Sequence, residues 1–269
     1  MDRLEELVAA VRHDLKGKKA VIGISGGKDS SIAAAILTLA LGSDNVIGIS
    51  MPNGEGKEDA PYVDMVAKAL GITIKRTNIK DAYEAMLKQM EGMEILPDTT
   101  INLPARIRMS MLFEFSQSIP NSRVINTCNL SEDMTGYSTL FGDLAGTYAV
   151  LKYFTATEVV HKIGEQLIRN FGFPPALVYR TPSDGLCGAS DEEKMGMKYS
   201  DLDHYIRHGR FSWSDPSQFS LEEVELINKI RERYEANKFK LAIVDIPGPS
   251  ISSTQGANFI LYPNNGYTN

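Results

Sequence analysis

The sequence predicts a doubly wound α/β fold, in which one parallel β-sheet is covered by helices on both faces. Short apolar, β-branched runs alternate along the chain with helical patterns of ten or more residues. Parallel strands need crossovers of this kind. In addition, 43% of the 269 residues are hydrophobic and 23% are charged. That composition is typical of a globular protein and excludes a disordered or fibrous chain.

The first unit of the pattern is a helix, a strand, a glycine turn and a second helix. Five apolar residues recur at helical spacing near the amino terminus: Leu4, Leu7, Val8, Val11 and Leu15. An amphipathic helix is therefore expected there. Residues 20–24 form a short apolar run of the kind found in buried parallel strands. After a Gly/Ser turn, a helix is expected to about Leu41.

The remaining elements continue the alternation. Further strands are expected at residues 45–51, 72–76 and 123–127. Further helices are expected at residues 59–70, 79–90, 103–116, 157–170, 201–207 and 221–237. Residues 1–245 are thus expected to form a single domain. Residues 246–269, rich in Pro, Gly, Ser and Asn, are expected to form an irregular C-terminal tail.

Charge and hydropathy exclude several kinds of partner. Twenty-eight Lys and Arg against 34 Asp and Glu leave a net charge of -6, the wrong sign for binding nucleic acid through the overall field. The longest apolar run, residues 32–41, is about half the length of a membrane helix and contains Thr38. Only two cysteines occur, and the N-terminus lacks the pattern of a signal peptide. We therefore expect a cytoplasmic protein.

The most informative segment is the turn after the first strand, which reads Gly-Ile-Ser-Gly-Gly-Lys-Asp-Ser-Ser at residues 23–31. Amides of such a turn and of the following helix N-terminus form an anion site, so a phosphate is expected there. A Walker A loop would need Gly at position 22, where Ile stands, and Ser or Thr at position 29, where Asp stands. The dinucleotide-binding pattern Gly-x-Gly-x-x-Gly does not fit this turn either. Asp29 is a carboxylate of the type that holds Mg²⁺. The alternative is a turn without a ligand, in which Ser30 caps the helix.

Later segments add polar residues at the same sheet edge. Arg106 and Arg108 are expected on opposite sides of a helix start, where each could hold a phosphate or carboxylate; two solvated arginines are the alternative. Residues 126–132 and 135–143 follow the predicted fourth strand and include Glu132. Open α/β sheets bind ligands at the carboxyl ends of their strands.

Together these segments resemble known families. The string Ser-Gly-Gly-x-Asp-Ser is similar to the signature of the N-type ATP pyrophosphatases, which cleave ATP between the α and β phosphates and adenylate an acceptor oxygen. The chain also resembles the NAD synthetases. Their pattern continues with Asn-x-x-Ala-Arg-x-Arg-Met, Thr-x-Asn-x-Ser-Glu, Gly-Tyr-x-Thr, Gly-Asp and Asp-Glu-x-x-x-Gly-x-x-Tyr. These blocks occur here in order, within about residues 18–240.

The resemblance implies an adenine nucleotide alpha hydrolase-like (Rossmann-like) fold and an ammonia-dependent ligase. Such an enzyme adenylates the nicotinate carboxylate of deamido-NAD with ATP and Mg²⁺, and then amidates it to give NAD, AMP and pyrophosphate. Asp29 and Glu132 are the implied Mg²⁺ ligands. Contacts with ATP or the dinucleotide are implied for Gly23, Ile24, Ser25, Gly26, Gly27, Lys28, Asp29, Ser30, Arg106, Thr127, Arg180 and Lys238.

A proton acceptor is also needed, because ammonium must lose a proton before it attacks. Asp143 is a candidate to bind ammonium or take that proton; the alternative is an ordinary turn residue after Gly142. Arg180 precedes residues 182–186, which resemble the family's loop that orders over the reacting groups. The expected catalytic groups are therefore Asp29, Glu132, Arg180 and Asp143.

Some positions depart from the common pattern: Leu140, Thr147, Asp184, Lys198 and Asn237. Residues 139–146 look like the glutamine-dependent branch, whose members carry an amidase domain ahead of the synthetase. About 17 residues precede the first strand here. Free ammonia, or ammonia from a separate amidase, is therefore the expected nitrogen source. Known NAD synthetases are homodimers, so a homodimer is expected, with the dinucleotide site at its interface.

Two other functions stay open. A tRNA-modifying ATP pyrophosphatase, of the lysidine synthetase or thiolase type, shares the string Ser-Gly-Gly-Lys-Asp-Ser. The acidic net charge and the lack of a Cys-x-x-Cys motif argue against it. An ATP-binding sensor that has lost turnover would account for Leu140, Thr147 and Asn237.

Overall fold

A five-stranded parallel β-sheet forms the centre of the protein. The computed structural model describes residues 3–180, 191–208, 220–249 and 251. The strands lie in the order β3-β2-β1-β4-β5 and are Lys19–Gly23 (β1), Val46–Ser50 (β2), Thr73–Arg76 (β3), Ser122–Asn126 (β4) and Tyr148–Ala149 (β5). Because β1 pairs with both β2 and β4, the strand order reverses between β1 and β4. Open α/β sheets bind ligands at the carboxyl ends of strands at such a switch point.

Helices connect the strands and extend beyond the sheet. They are Arg3–Asp14 (α1), Lys28–Leu41 (α2), Ala60–Leu70 (α3), Lys80–Gln89 (α4), Pro97–Gln117 (α5), Leu130–Thr135 (α6), Ala156–Glu158 (α7), Glu165–Phe171 (α8), Pro175–Val178 (α9), Asp191–Met195 (α10), Tyr199–His208 (α11) and Leu221–Ile243 (α12). A π-helical segment, Val159–Gly164, joins α7 to α8. No helix in the described ranges is long and apolar enough to cross a membrane.

The two faces of the sheet are covered by different helices. Strand β1 contributes side chains to two separate cores, one on each face of the sheet. Ala20 and Ile22 pack with α1, α2, α8 and α9, whereas Val21 packs with α5. All three side chains are fully buried. Alternation of this kind follows from the period of two along a strand. The predicted doubly wound α/β fold is confirmed.

A smaller core of α6, α10, α11 and α12 lies apart from the two sheet cores. Its fully buried members include Met134, Leu202, Tyr205 and Ile230, one or more from each of α6, α11 and α12. This cluster supports α6, which follows β4 at the carboxyl edge of the sheet. It therefore determines where the side chains of α6 lie.

Several predicted boundaries were wrong. Helix α5 begins at Pro97, six residues before the predicted start. The prediction missed this first part of the helix because residues 98–102 are mostly polar and show no apolar stripe. Arg106 and Arg108 consequently lie inside a helix rather than at its start. Helix α12 extends to Ile243. Strand β5 was not predicted, since two residues show no periodicity.

The start of the predicted tail packs against the edge of the sheet. The amide of Ala149 in β5 donates to the carbonyl of Pro247 at 2.9 Å. Ile246 and Ile251 are both buried, with Ile251 in the core beneath α1 and α2. Residues 252–269 lie outside the described part of the chain.

Candidate active site

A glycine loop joins the carboxyl end of β1 to the N-terminus of α2. Gly27 is the N-cap residue of α2 and, as a glycine, has no side chain with which to cap the helix. Ser25 and Ser30 lie with their hydroxyl oxygens 3.1 Å apart, and the Ser30 hydroxyl donates to the Gly27 carbonyl at 3.1 Å. Ser30 therefore closes the loop rather than capping the helix. Amides of a first helical turn lack partners within the helix and favour an anion.

Arg180 lies over this loop. Its Nη2 donates to Asp59 Oδ1 at 2.6 Å, and its guanidinium carbon is 3.9 Å from the ring centroid of Tyr62. Gly26 beneath it has φ +78°, and a Cβ built there would lie 3.1 Å from Arg180 Nη1. The structure thus brings Arg180 to the loop and holds its planar fork against Asp59, the N-cap of α3, and Tyr62.

The second carboxylate of the site comes from α6. The side chain of Asn129 caps α6 by accepting from the amides of Ser131 and Glu132, and the Glu132 carboxylate accepts from the Asn129 amide at 3.0 Å. Asn129 Nδ2 also donates to Asp29 Oδ1 at 3.4 Å. Asn129 is fully buried and joins the two carboxylates. Asn129 is the Asn of the Thr-x-Asn-x-Ser-Glu block, to which the sequence analysis assigned no role.

Lys28 lies between these carboxylates. Its ammonium is 2.6 Å from Asp29 Oδ2, and its side chain is 5% exposed. Burial lowers the pKa of Lys28, but Asp29 and Glu132 outweigh that effect and raise it overall. Burial and the charge of Asp29 raise the pKa of Glu132, and Lys28 opposes the shift. The three residues therefore form one charge cluster, in which Lys28 is the counter-ion.

The donor chemistry of Asp29 and Glu132 fits a magnesium site that phosphate oxygens would complete. In the described ranges no group of three or more His, Cys, Asp or Glu side chains could hold a metal by itself. Mg²⁺ is usually held by one or two carboxylates together with substrate phosphates, rather than by a complete protein cage. A pair of carboxylates beside a phosphate loop is such a donor set.

Helix α6 is held from behind by α11. The Ser131 hydroxyl donates to Asp203 Oδ1, and Asp203 Oδ2 accepts from the Thr157 amide at 2.7 Å. The amide of Ala156 in turn donates to the Ser131 hydroxyl at 2.9 Å. Ser131 and Asp203 are buried. Because Ser131 precedes Glu132, this network fixes the first turn of α6.

The segment after α6, residues 136–143, packs on α5. Arg106 Nε donates to the Leu140 carbonyl at 3.2 Å, and the Thr139 hydroxyl donates to Asn102 Oδ1 at 2.7 Å. Asp143 Oδ1 accepts from the Thr139 amide at 2.9 Å. This bond gives Asp143 a turn-forming contact, while its exposed side chain leaves it open to a substrate. Arg106 and Asp143 are thus brought to one segment.

Lys240, which sequence reasoning did not select, also reaches residues 136–143. Its ammonium donates to the carbonyls of Gly136 and Ser138 at 2.8 and 2.9 Å. Burial lowers its pKa, and Asp143 opposes the shift. Lys238, the predicted residue, instead lies on an exposed side of α12, with its ammonium 2.5 Å from Glu235. Side chains two positions apart on a helix point about 200° away from each other, so Lys238 and Lys240 lie on different sides of α12.

Other predicted positions have different surroundings. Thr127 directly follows β4 and is half-buried. Arg108 donates to the Met51 carbonyl at 2.9 Å, so it has a structural contact between α5 and the end of β2. The hydroxyl of Thr147 donates to the Val124 carbonyl at 3.0 Å. Residues 182–186, predicted to order over the site, lie outside the described ranges.

Comparisons with known proteins identify the family. The model of the family described as NAD synthase matches residues 1–244. The NH(3)-dependent NAD(+) synthetase of Pyrococcus furiosus is 36% identical over 201 residues, which are 74% of this chain and 75% of that protein. The chain belongs to the NAD synthase family. A NAD synthase is a ligase that makes NAD by ATP-dependent amidation, so ATP is a substrate.

Solved structures of similar proteins share the fold of this chain. The NMN synthetase from Francisella tularensis superposes with a TM-score of 0.73 at 27% identity, covering 88% of this chain and 93% of that one. The NH3-dependent NAD synthetase from Campylobacter jejuni, solved with a nitrate ion, superposes with a TM-score of 0.64 at 25% identity. It covers 88% of this chain and 94% of that one.

Proposed function

We propose that the chain adenylates the nicotinate carboxylate of deamido-NAD with ATP and then amidates it with ammonia. The observation that carries this proposal is the Asp29 and Glu132 pair, joined by Asn129 beside the glycine loop at the switch point of the sheet. In the first step a carboxylate oxygen attacks the α-phosphorus and pyrophosphate leaves. In the second, ammonia attacks the acyl carbon and AMP leaves with that oxygen.

The glycine loop and Arg180 serve the first step. The loop amides and the N-terminus of α2 would bind the phosphates of ATP, with Arg180 above them as a planar donor. Asp29 and Glu132 would hold Mg²⁺, which would supply positive charge to offset the negative charge of the leaving pyrophosphate. The protein's contribution is positioning two anionic reactants and offsetting their charge.

Residues 136–143, with Arg106 and Lys240, serve the acceptor. These two cations border one segment, and Lys240 lies close enough to Asp143 for their charges to interact. They would bind the acceptor's phosphates, while Asp143 binds ammonium or takes the proton that it must lose. Apolar side chains such as Met93, Leu96 and Ile101 are exposed around the start of α5, which supports a homodimer.

A second candidate acceptor is the deamido form of NMN. It is favoured by the likeness to the NMN synthetase from Francisella tularensis, whose name states a mononucleotide product. Leu140 and Thr147, where ammonia-dependent members commonly carry charged residues, weaken the expected contacts with the larger acceptor. The chemistry at Asp29, Glu132 and Arg180 is the same for both acceptors.

The test supplies ATP, Mg²⁺ and ammonium with deamido-NAD or deamido-NMN, and follows the amide product and pyrophosphate. We expect product from deamido-NAD at a higher kcat/KM than from deamido-NMN, and the reverse result would select the second candidate. Glutamine in place of ammonium is expected to give little product unless an amidase is added. ATP binding without product would indicate a sensor, and pyrophosphate release only with tRNA an RNA-modifying enzyme. Sedimentation equilibrium tests the dimer.

A further inference from the structure

We propose that Lys28 is a resident cation of the Asp29 and Glu132 site and makes the binding of a divalent metal depend on the nucleotide. This inference rests on the proposed function, in which the two carboxylates hold Mg²⁺. It assigns Lys28 a role other than that of a phosphate ligand. The role follows from where the ammonium lies in the structure.

The ammonium of Lys28 is enclosed on the carboxylate side of the loop. It is 2.6 Å from Asp29 Oδ2 and 5.8 Å from the ring centroid of Tyr199, a buried residue of α11. The carboxylates of Glu132 and Asp191 are close enough for their charges to act on it. An ammonium among three carboxylates and an aromatic face has the surroundings of a counter-ion.

A divalent cation at this pair must compete with that ammonium. Both cations need the oxygens of Asp29, and like charges at contact distance repel strongly where water is excluded. Because Lys28 already offsets one negative charge of this cluster, the carboxylates attract a metal less strongly than they would without it. The phosphates of ATP add the negative charge that the site lacks. The metal is therefore expected to enter with the nucleotide.

The test is a titration with Mn²⁺ alone, followed by electron paramagnetic resonance, without nucleotide or acceptor. Lys28→Gln is expected to bind Mn²⁺ about tenfold more tightly than the unmodified chain, because a competing charge is removed. Lys28→Arg keeps the charge and is expected to bind as weakly as the unmodified chain. Lys57→Gln is the matched control, since Lys57 pairs with Glu55 at the same 2.6 Å in an exposed position.

Unchanged or weaker Mn²⁺ binding by Lys28→Gln would overturn the proposal. A rise of about tenfold in its dissociation constant for ATP, at unchanged Mn²⁺ affinity, would make Lys28 a phosphate ligand instead. The unmodified chain gives a second test that needs no variant. Mn²⁺ binding that is equally tight with and without a non-hydrolysable ATP analogue would also contradict the proposal.

The metal site itself is checked separately. Asp29→Asn is expected to weaken Mn²⁺ binding in the presence of the ATP analogue, and binding that is unaffected would refute the metal site of the proposed function. Formation of NAD by the unmodified chain tests the amidation without reference to Lys28. The two accounts can therefore fail independently.

Discussion

Replacing Gly26 by alanine tests the glycine loop most sharply. Gly26 has φ +78°, and a Cβ there would lie 2.8 Å from the Cβ of Tyr62 and 3.1 Å from Arg180 Nη1. The left-handed conformation costs an alanine roughly 1–2 kcal/mol. Overpacking against Tyr62 adds about 1–3 kcal/mol. We therefore expect the free energy of unfolding to fall by about 2–5 kcal/mol.

Gly71→Ala is the matched control for the backbone term. Gly71 ends α3 with φ +64°, and a Cβ there would meet nothing within 4 Å. This variant is expected to lose only the conformational cost, roughly 1–2 kcal/mol, and to keep its activity. Urea unfolding of the two variants measures the difference, which is the cost of the contact with Tyr62.

The loop's role in binding ATP is measured by steady-state kinetics with ATP varied. Gly26→Ala displaces Arg180 or the loop amides, and a hydrogen bond to a charged group contributes about 1.5–3 kcal/mol. Since 1.36 kcal/mol corresponds to a factor of ten, the KM for ATP is expected to rise roughly 10- to 100-fold. A variant with the stability and ATP KM of Gly71→Ala would refute the reasoning.

Three further predictions concern charged side chains, the buried Glu158 and the half-buried Lys240. Glu158→Gln breaks a largely buried ion pair with Arg207, and its free energy of unfolding in urea is expected to fall by about 3–5 kcal/mol. Asp64→Asn breaks an exposed pair with Arg76 and is expected to lower the same free energy by at most about 1 kcal/mol. Burial raises the pKa of Glu158, but Arg207 outweighs this and holds it below its usual value. The ion pair therefore stabilises the folded chain above about pH 4.5, and this stabilisation is lost as the pH falls through the lowered pKa of Glu158 in the folded state. The difference in unfolding free energy between the unmodified chain and Glu158→Gln should shrink on acidification. A difference that stays constant with pH would contradict this. Lys240→Met should raise the acceptor KM about tenfold with little change in the ATP KM, and equal rises in both would refute its placement on the acceptor side.

The sequence predicted the sheet and the loop because their signals are local. The apolar run of β1 and the glycine turn before α2 are contiguous in the chain, and their pattern is typical of a parallel α/β unit. The alternation of strands and helices extended this prediction across β4. Helix α5 was predicted, but its first residues were missed because they are mostly polar, and β5 was missed because two residues show no periodic apolar face.

The contacts that assemble the site could not be predicted in the same way. Asn129 lies 100 residues from Asp29 in the chain, so only the pairing of β1 with β4, the strands that precede Asp29 and Asn129, brings them together. The choice between Lys238 and Lys240 depends on the rotation of α12, which is set by its packing on α6. Side chains two positions apart on a helix face different directions, and the charge pattern alone does not distinguish them.

The adenylation step can be measured directly with an acceptor whose carboxylate carries ¹⁸O at both oxygens. If the carboxylate attacks the α-phosphorus of ATP, one labelled oxygen is transferred to AMP and one stays in the amide product. Mass spectrometry of AMP after turnover with ammonium should therefore show one ¹⁸O per molecule formed. Label in pyrophosphate or inorganic phosphate, with none in AMP, would contradict the proposed chemistry of this site.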